Sequence, residues 1–211
     1  MKIAIGDIHG KNCWKDLIDR EFDECYFVGD YFDNYEETPT VTQIRNFKEI
    51  CEEARKNNKI HLCLGNHDLH YLRGIEKSEK YSGFQWYGRF DIQEILEENI
   101  DLLKVVYQSG NYLISHAGIS NTFLKSLNLE DPLDINKKFE ENRMSLAFNG
   151  YNCYGDDITQ GPLWIRPDSL LKDSLCNYKQ IVGHTRMQDI ETRFDVTFID
   201  CLDSVVKTYE F

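Results

Sequence analysis

Short apolar runs recur along this chain, and each stops at a glycine or another small residue beside a polar one. Residues 2–5 run into Gly6-Asp7-Ile8-His9-Gly10, and Cys25 to Val28 stop at Gly29-Asp30. Ile60 to Leu64 stop at Gly65-Asn66-His67-Asp68, the run at Tyr112 to Ser115 at His116-Ala117-Gly118, and Gln180 to Val182 at Gly183-His184-Thr185. Length and flanking glycines make all five runs strands. Between them, Val41, Ile44, Phe47, Ile50, Cys51 and Ala54 follow helical spacing, which predicts a helix over residues 38–57 with Thr38 as its cap and Pro39 as its first residue. Residues 89–99 and 133–148 also read as helices, with Glu97-Glu98 and Glu140-Glu141 on solvated faces. Two further β-rich runs close the chain, Val196–Ile199 and Val205–Tyr209, and Asp200 to Ser204 fit a hairpin connection between them. Strands alternating with helices imply an α/β fold, which periodicity alone would draw as one doubly wound sheet.

There is no internal repeat, low-complexity tract or linker, so one domain over residues 1–211 is the economical expectation. Composition narrows the function. A formal charge of −12 opposes long-range attraction to nucleic-acid backbones, which rely on clustered Lys and Arg. A local cation pair would still capture a phosphate. The seven cysteines show no CxxC pairing and read as reduced thiols, which suits the cytoplasm. No stretch has the roughly 18 apolar residues of a membrane span, and no signal-type region precedes the first strand.

In α/β folds, functional groups gather at the carboxyl ends of strands, and glycine lets the chain turn there. The five loops would thus bring Asp7, His9, Asp30, Asn66, His116 and His184 together. Carboxylate, imidazole and amide donors suit two divalent metals of intermediate hardness, such as manganese or iron.

Taken in order, GDIHG, GDYFD, GNHD, SHAG and GHT resemble the motif set of the calcineurin-like metallophosphoesterases, over nearly the whole chain from Asp7 to His184. The resemblance implies a four-layer αββα sandwich, two mixed sheets flanked by helices. It implies that Asp7 and His9 bind a first metal, that Asp30 bridges, and that Asn66, His116 and His184 complete a second site. Manganese is the expected metal at both, with iron, zinc or nickel as alternatives, and a metal-bridging hydroxide would attack a phosphate ester. By the same resemblance, His67 protonates the leaving oxygen and Asp33 orients it. Arg166, in Leu163-Trp164-Ile165-Arg166-Pro167, matches the LWxRP stretch of the bacterial and phage protein-phosphatase-like branch and would grip phosphate oxygens.

One residue departs from that pattern. Protein serine/threonine phosphatases carry Arg directly after the second-motif Asp, where this chain has Asn34. The phosphate clamp is then missing or supplied by Arg166, Arg73 or Arg89, and phosphoprotein specificity is in question. Gly65 to His70 also resemble symmetrical diadenosine tetraphosphatases, which raises a nucleotide hydrolase as the alternative. A non-catalytic interaction protein on the same fold is disfavoured because every motif is intact. Asp68 is expected to hold its loop, His61 and His70 to be structural, Asp200 to support the site, and Phe84 to Tyr87 to form a lid, a base-stacking platform or cap packing.

Overall fold

A computed structural model describes residues 1–34, 38–75, 83–148 and 156–211. The first half of the chain runs β1 (Lys2–Ile5), α1 (Trp14–Ile18), β2 (Glu24–Phe27), α2 (Thr40–Lys56), β3 (Ile60–Cys63), α3 (Asn66–Leu69), α4 (Arg89–Glu98) and β4 (Leu103–Lys104). The second half runs β5 (Val106–Ser109), β6 (Tyr112–Ser115), α5 (Asn121–Ser126), α6 (Asp134–Glu141), α7 (Pro167–Asp173), β7 (Lys179–Val182), β8 (Glu191–Arg193), β9 (Val196–Phe198) and β10 (Tyr209–Glu210).

Side-chain alternation along these strands builds the layers. Ile3, Ile5, Cys25, Phe27 and Leu62 pack with Trp14 of α1 and Phe47 and Ile50 of α2. Ala4, Tyr26, Val28 and Cys63 instead meet Ile114, Ile181 and Ile199, forming the seam between two sheets. Beyond the second sheet, Val182, Val196 and Phe198 pack with Leu170 of α7. The first sheet has the order β10-β1-β2-β3-β4, and the second β5-β6-β7-β9-β8. In the first, β1 to β4 are parallel and β10 is antiparallel. In the second, β6, β7 and β9 are parallel, with antiparallel edges β5 and β8.

The sandwich implied by the motifs is therefore the fold, and the single doubly wound sheet suggested by periodicity is not. The chain changes sheets at Val105, between β4 and β5, where the Asn136 side chain accepts the N–H groups of Val105 (2.8 Å) and Val106 (3.2 Å).

Several boundaries shift. Pro39 is the cap of α2, not its first residue, because its ψ of 140° is extended. The predicted 133–148 helix divides at Asn142 into α6 and a 3₁₀ segment, Arg143–Leu146. Glu97 is no solvated face residue, since it clamps the Arg143 guanidinium at 2.5 and 3.0 Å. The predicted terminal hairpin does not form. β9 pairs with β7 and β8, and the last run contributes β10 to the other sheet beside β1. Among the described residues, no helix is long and apolar enough to cross a membrane. Six cysteines are free thiols, and Cys153 lies outside the described residues.

Candidate metal centre

Parallel strands β1, β2 and β3 of one sheet and β6, β7 and β9 of the other aim their carboxyl ends at one region. The loops leaving them are strained. His9 (φ 42°), Asp30 (52°), Asp33 (61°) and His184 (65°) adopt left-handed backbone, four of the six such non-glycine residues among those described. Each costs roughly 1–3 kcal/mol and persists only where its surroundings enforce it. Glycine is needed beside them for clearance. A Cβ on Gly65 would lie 2.1 Å from Asp30 Oδ1, and one on Gly183 2.0 Å from Asp7 Oδ1.

Asp68 enforces the Asp30 turn. Its buried carboxylate accepts the N–H groups of Asp30 (2.9 Å), Tyr31 (2.8 Å) and Gly65 (2.9 Å), tying two motif loops together. The loop-holding role expected for Asp68 has this geometry. Asp68→Ala would orphan three buried donors, so destabilisation of about 3 kcal/mol or more is expected in chemical denaturation. Metal affinity should also fall about 10- to 100-fold, read by titration calorimetry.

Three histidines share one construction. His9 Nδ1–H donates to the Phe32 carbonyl (2.7 Å), His116 Nδ1–H to that of Val28 (3.0 Å), and His184 Nε2–H to that of Trp164 (3.1 Å). A carbonyl can only accept, so each ring turns its other nitrogen, bearing a lone pair, toward the site. His116 Nε2 and His184 Nδ1 lie 3.2 Å apart and 2.8 and 2.9 Å from Asn66 Oδ1, a third acceptor. Asp30 Oδ2 lies 3.4 Å from His116 Nε2 and 3.8 Å from His9 Nε2. Its Oδ1 is held by the His67 N–H at 2.9 Å, and Asp7 accepts the His184 N–H at 3.0 Å. Asp7, Asp30 and His116 offer ligand atoms within 4.8 Å of one another.

Lone pairs and carboxylates facing each other repel, and burial adds a larger cost to every charge among them. Burial, then Asp200 and Asp30, raises the Asp7 carboxyl well above its usual range. Burial likewise pushes Asp30 up to about 8, against the opposing pull of His67. Burial drives His116 and His184 far down, and His9 to about 3, with neighbouring cationic groups adding to it. Divalent cations satisfy all these acceptors at once, and a backbone carbonyl behind each imidazole is the usual support of a metal-ligating histidine. The donor set fits metal.

A second cluster, Asp33, His67 and His70, adjoins the first. His67 Nδ1 is 2.8 Å from Asp33 Oδ2, and its ring lies edge-on to His9 with centroids 5.3 Å apart. Burial disfavours the His67 cation, but Asp30, Asp33 and Asp68 outweigh it and lift the group to about 9. Asp33 is held far below the usual carboxylate range: burial opposes its charge, and hydrogen bonds from His67 and His70 overcome that. An imidazolium paired with a buried carboxylate is a proton donor with a fixed aim.

Arg166 Nη1 donates to the His184 carbonyl (3.2 Å) and to Thr185 Oγ1 (3.0 Å), at the rim of the metal loops. Of the other two candidate clamps, Arg89 stacks on Trp86 and Phe90, and Arg73 joins the Glu97–Arg143 surface through its backbone N–H and carbonyl. Asn34, in place of the family arginine, donates to the His9 carbonyl at 2.5 Å and so holds a motif loop. Asp200 is buried, with its carboxyl raised to about 6 chiefly by that burial, and it repels Asp7. His61 stacks on Tyr26 away from this centre, as a structural residue would. His70 is less peripheral than expected, its Nε2 being 2.7 Å from Asp33 Oδ2. The three-residue step from His67 to His70, one helix face, was the signal for it. Tyr71 and Gln85, which also reach Asp33, carried no sequence signal.

A sandwich whose strand ends deliver imidazoles, carboxylates and an amide to one point, with a proton donor beside them, defines a metal-dependent phosphoesterase. The profile of calcineurin-like phosphoesterases matches residues 3–199, and the chain belongs to that family. It is accordingly a metal-dependent hydrolase of the phosphatase type. Among solved structures, a cold-active protein-tyrosine phosphatase from a psychrophilic Shewanella species superposes with a TM-score of 0.64 at 19% identity, covering 98% of this chain and 72% of that one. A protein serine/threonine phosphatase from Saccharomyces cerevisiae does so with a TM-score of 0.55 at 16% identity, over 94% of this chain and 66% of its own. At such identities the likeness is one of fold. No curated protein sequence matches the chain.

Proposed function

We propose that this protein is a binuclear phosphomonoesterase of the cytoplasm, acting as a single domain on a phosphoprotein or a small phosphorylated metabolite. The observation that carries this reading is the set of three imidazoles, each backed by a carbonyl, whose lone pairs converge with Asn66 and Asp30 beside the His67–Asp33 pair. Asp7 and His9 would hold one ion, Asn66, His116 and His184 the other, with Asp30 shared. Donors of oxygen and imidazole nitrogen without thiolate favour manganese, with iron, zinc or nickel as alternatives. When bound, the two ions lower the pKa of water to give a nucleophile near neutral pH and polarise the phosphoryl group.

The chain's own residues do the rest. Asp33 fixes the His67 ring, whose Nε2 proton goes to the leaving oxygen as the ester bond breaks. Arg166 holds phosphate oxygens from the rim. Free thiols support a reducing compartment, and the acidic surface disfavours nucleic-acid partners.

Metal-stripped protein reconstituted with manganese, nickel or zinc is expected to hydrolyse p-nitrophenyl phosphate. His67→Asn should lower kcat on the order of 10²- to 10⁴-fold with metal content retained. Metal-replete protein inert toward monoesters, diesters and nucleotide anhydrides would refute this reading. The second reading, a dinucleoside polyphosphate hydrolase, draws on the half-exposed Trp86, edge-on to Phe84 with centroids 6.1 Å apart, as a surface on which a base can stack. Diadenosine tetraphosphate turned over far faster than any monoester would favour it.

A further inference from the structure

Asp33 is gripped by more donors than a simple His–Asp pair requires. Its Oδ2 faces His67 Nδ1 (2.8 Å) and His70 Nε2 (2.7 Å), while its Oδ1 accepts from the Tyr71 hydroxyl (2.5 Å) and the Gln85 amide (2.9 Å). Gln85 is itself fixed on every side. Its Oε1 accepts from the Thr40 hydroxyl (2.5 Å), its Nε2 also donates to Gln43 Oε1 (3.1 Å), and its backbone N–H donates to the Tyr71 hydroxyl oxygen (2.7 Å). Reversing that amide would set an oxygen against Asp33 Oδ1, acceptor to acceptor, so its orientation is dictated. Phe84 stacks on Tyr71, with centroids 4.9 Å apart and planes 17° from parallel. Gly83 has φ +78°, and a Cβ there would come within 3.1 Å of the Asp33 Cβ and 3.3 Å of His67 Cε1. The backbone at residue 83 thus lies directly against the pair.

We propose that Gln85 and Tyr71 are positioning residues for the proton donor, acting through Asp33. A carboxylate gripped at one oxygen can still rotate about its χ2 and carry its partner imidazole with it. Two donors on Oδ1, from residues tied to each other by the Gln85 backbone N–H on the Tyr71 hydroxyl, stop that rotation and leave Oδ2 as the oxygen His67 must address. The His67 Nε2–H then points to one place, where the leaving oxygen departs. Gly83 to Gln85 are therefore the buttress of the acid rather than a lid. This inference rests on the phosphomonoesterase reading above.

Leaving-group dependence tests it, because a misaligned acid hurts esters with poor leaving groups most, whereas general loss of structure slows all esters alike. Gln85→Ala and Tyr71→Phe are compared with the parent and with His67→Asn on phenyl phosphate and p-nitrophenyl phosphate. The metal content and melting temperature of each variant are recorded. In both variants kcat for phenyl phosphate should fall roughly tenfold further than for p-nitrophenyl phosphate, with KM changed less than about twofold. His67→Asn should show the same bias more strongly. Equal losses on the two esters, or a rise in KM with kcat unchanged, would overturn the inference while leaving the phosphomonoesterase reading intact. A metal-loaded parent inert to both esters would overturn both. If Gln85→Ala melts before assay, Tyr71→Phe, which removes one oxygen, decides alone.

Discussion

Asp30→Asn is expected to lower kcat toward p-nitrophenyl phosphate on the order of 10³-fold and, at the same time, to make the metal-stripped protein more stable. Both effects follow from one side chain. Asparagine can keep the Oδ1 contact with the His67 N–H, which is 2.9 Å long for the aspartate. Its other atom becomes an NH₂ facing His116 Nε2, 3.4 Å from the present Oδ2. Such a group donates to the imidazole lone pair and cannot bind a cation, so fewer ions per chain should be retained in elemental analysis. Without metal, the same change removes one of the carboxylates that burial holds toward the neutral form, and relieves the repulsion that Asp30 exerts on Asp7. A gain of about 1–3 kcal/mol for the stripped variant over the stripped parent is expected in denaturant titrations. Full activity with a full metal complement in Asp30→Asn would show that this carboxylate is not shared between ions. A stripped variant weaker than its parent would contradict the repulsion account.

Metal removal should cost the parent protein about 4 kcal/mol per ion when the ion had been present at roughly 1,000 times its Kd. For a chain of this size that corresponds to a fall of about 10 °C in melting temperature for each ion. The stripped protein should also acquire a pH dependence of definite sign. Asp30 titrates at about 8 in the fold, Asp7 is raised well above its ordinary value, and His67 titrates at about 9. Unfolded, these aspartates are ionised by pH 5, and the histidine has lost its proton above about 6.5. Between pH 6.5 and 9 the folded state therefore binds more protons than the unfolded one, and stability falls as pH rises. His9, His116 and His184, all lowered, are neutral in the fold but half protonated in the unfolded chain at about pH 6.5, so they oppose the slope at the foot of the window and drop out above about pH 7.5. Bound dications neutralise the carboxylates, so the loaded protein should show a flatter profile. A melting temperature that climbs from pH 6.5 to 9 in the stripped protein would sink this account.

The candidate donor groups were legible because a strand end is a local event. An apolar run followed by Gly-Asp, Gly-Asn, Gly-His or Ser-His announces where a side chain leaves the sheet, whatever the sheet pairs with. Asp7, Asp30, Asn66, His116 and His184 could be named from five such stops, and His9 from the turn that Gly10 closes. The partners of those groups were not legible. Tyr71 and Gln85 hold Asp33 across 38 and 52 residues of chain, Asn34 turns back to the His9 carbonyl, and nothing in their neighbourhoods marks them. Asp68 was assigned to its loop in outline, but its three backbone partners required the fold.

The pairing of the terminal runs shows the same division. Val196–Phe198 and the stretch reaching Tyr209 read as adjacent strands of one hairpin, yet they lie in different sheets. Local pattern says that a segment is extended and which of its faces is apolar. It does not say which edge offers hydrogen bonds, since those partners are brought together only when the two sheets close over Ala4, Tyr26, Ile114 and Ile181. From its own residues, then, this protein declares its chemistry, its strand stops and its acidic surface. Tertiary structure alone decided the split into two sheets, the tautomers that aim three lone pairs inward, and the grip on Asp33, because each depends on atoms distant in sequence meeting at hydrogen-bond range.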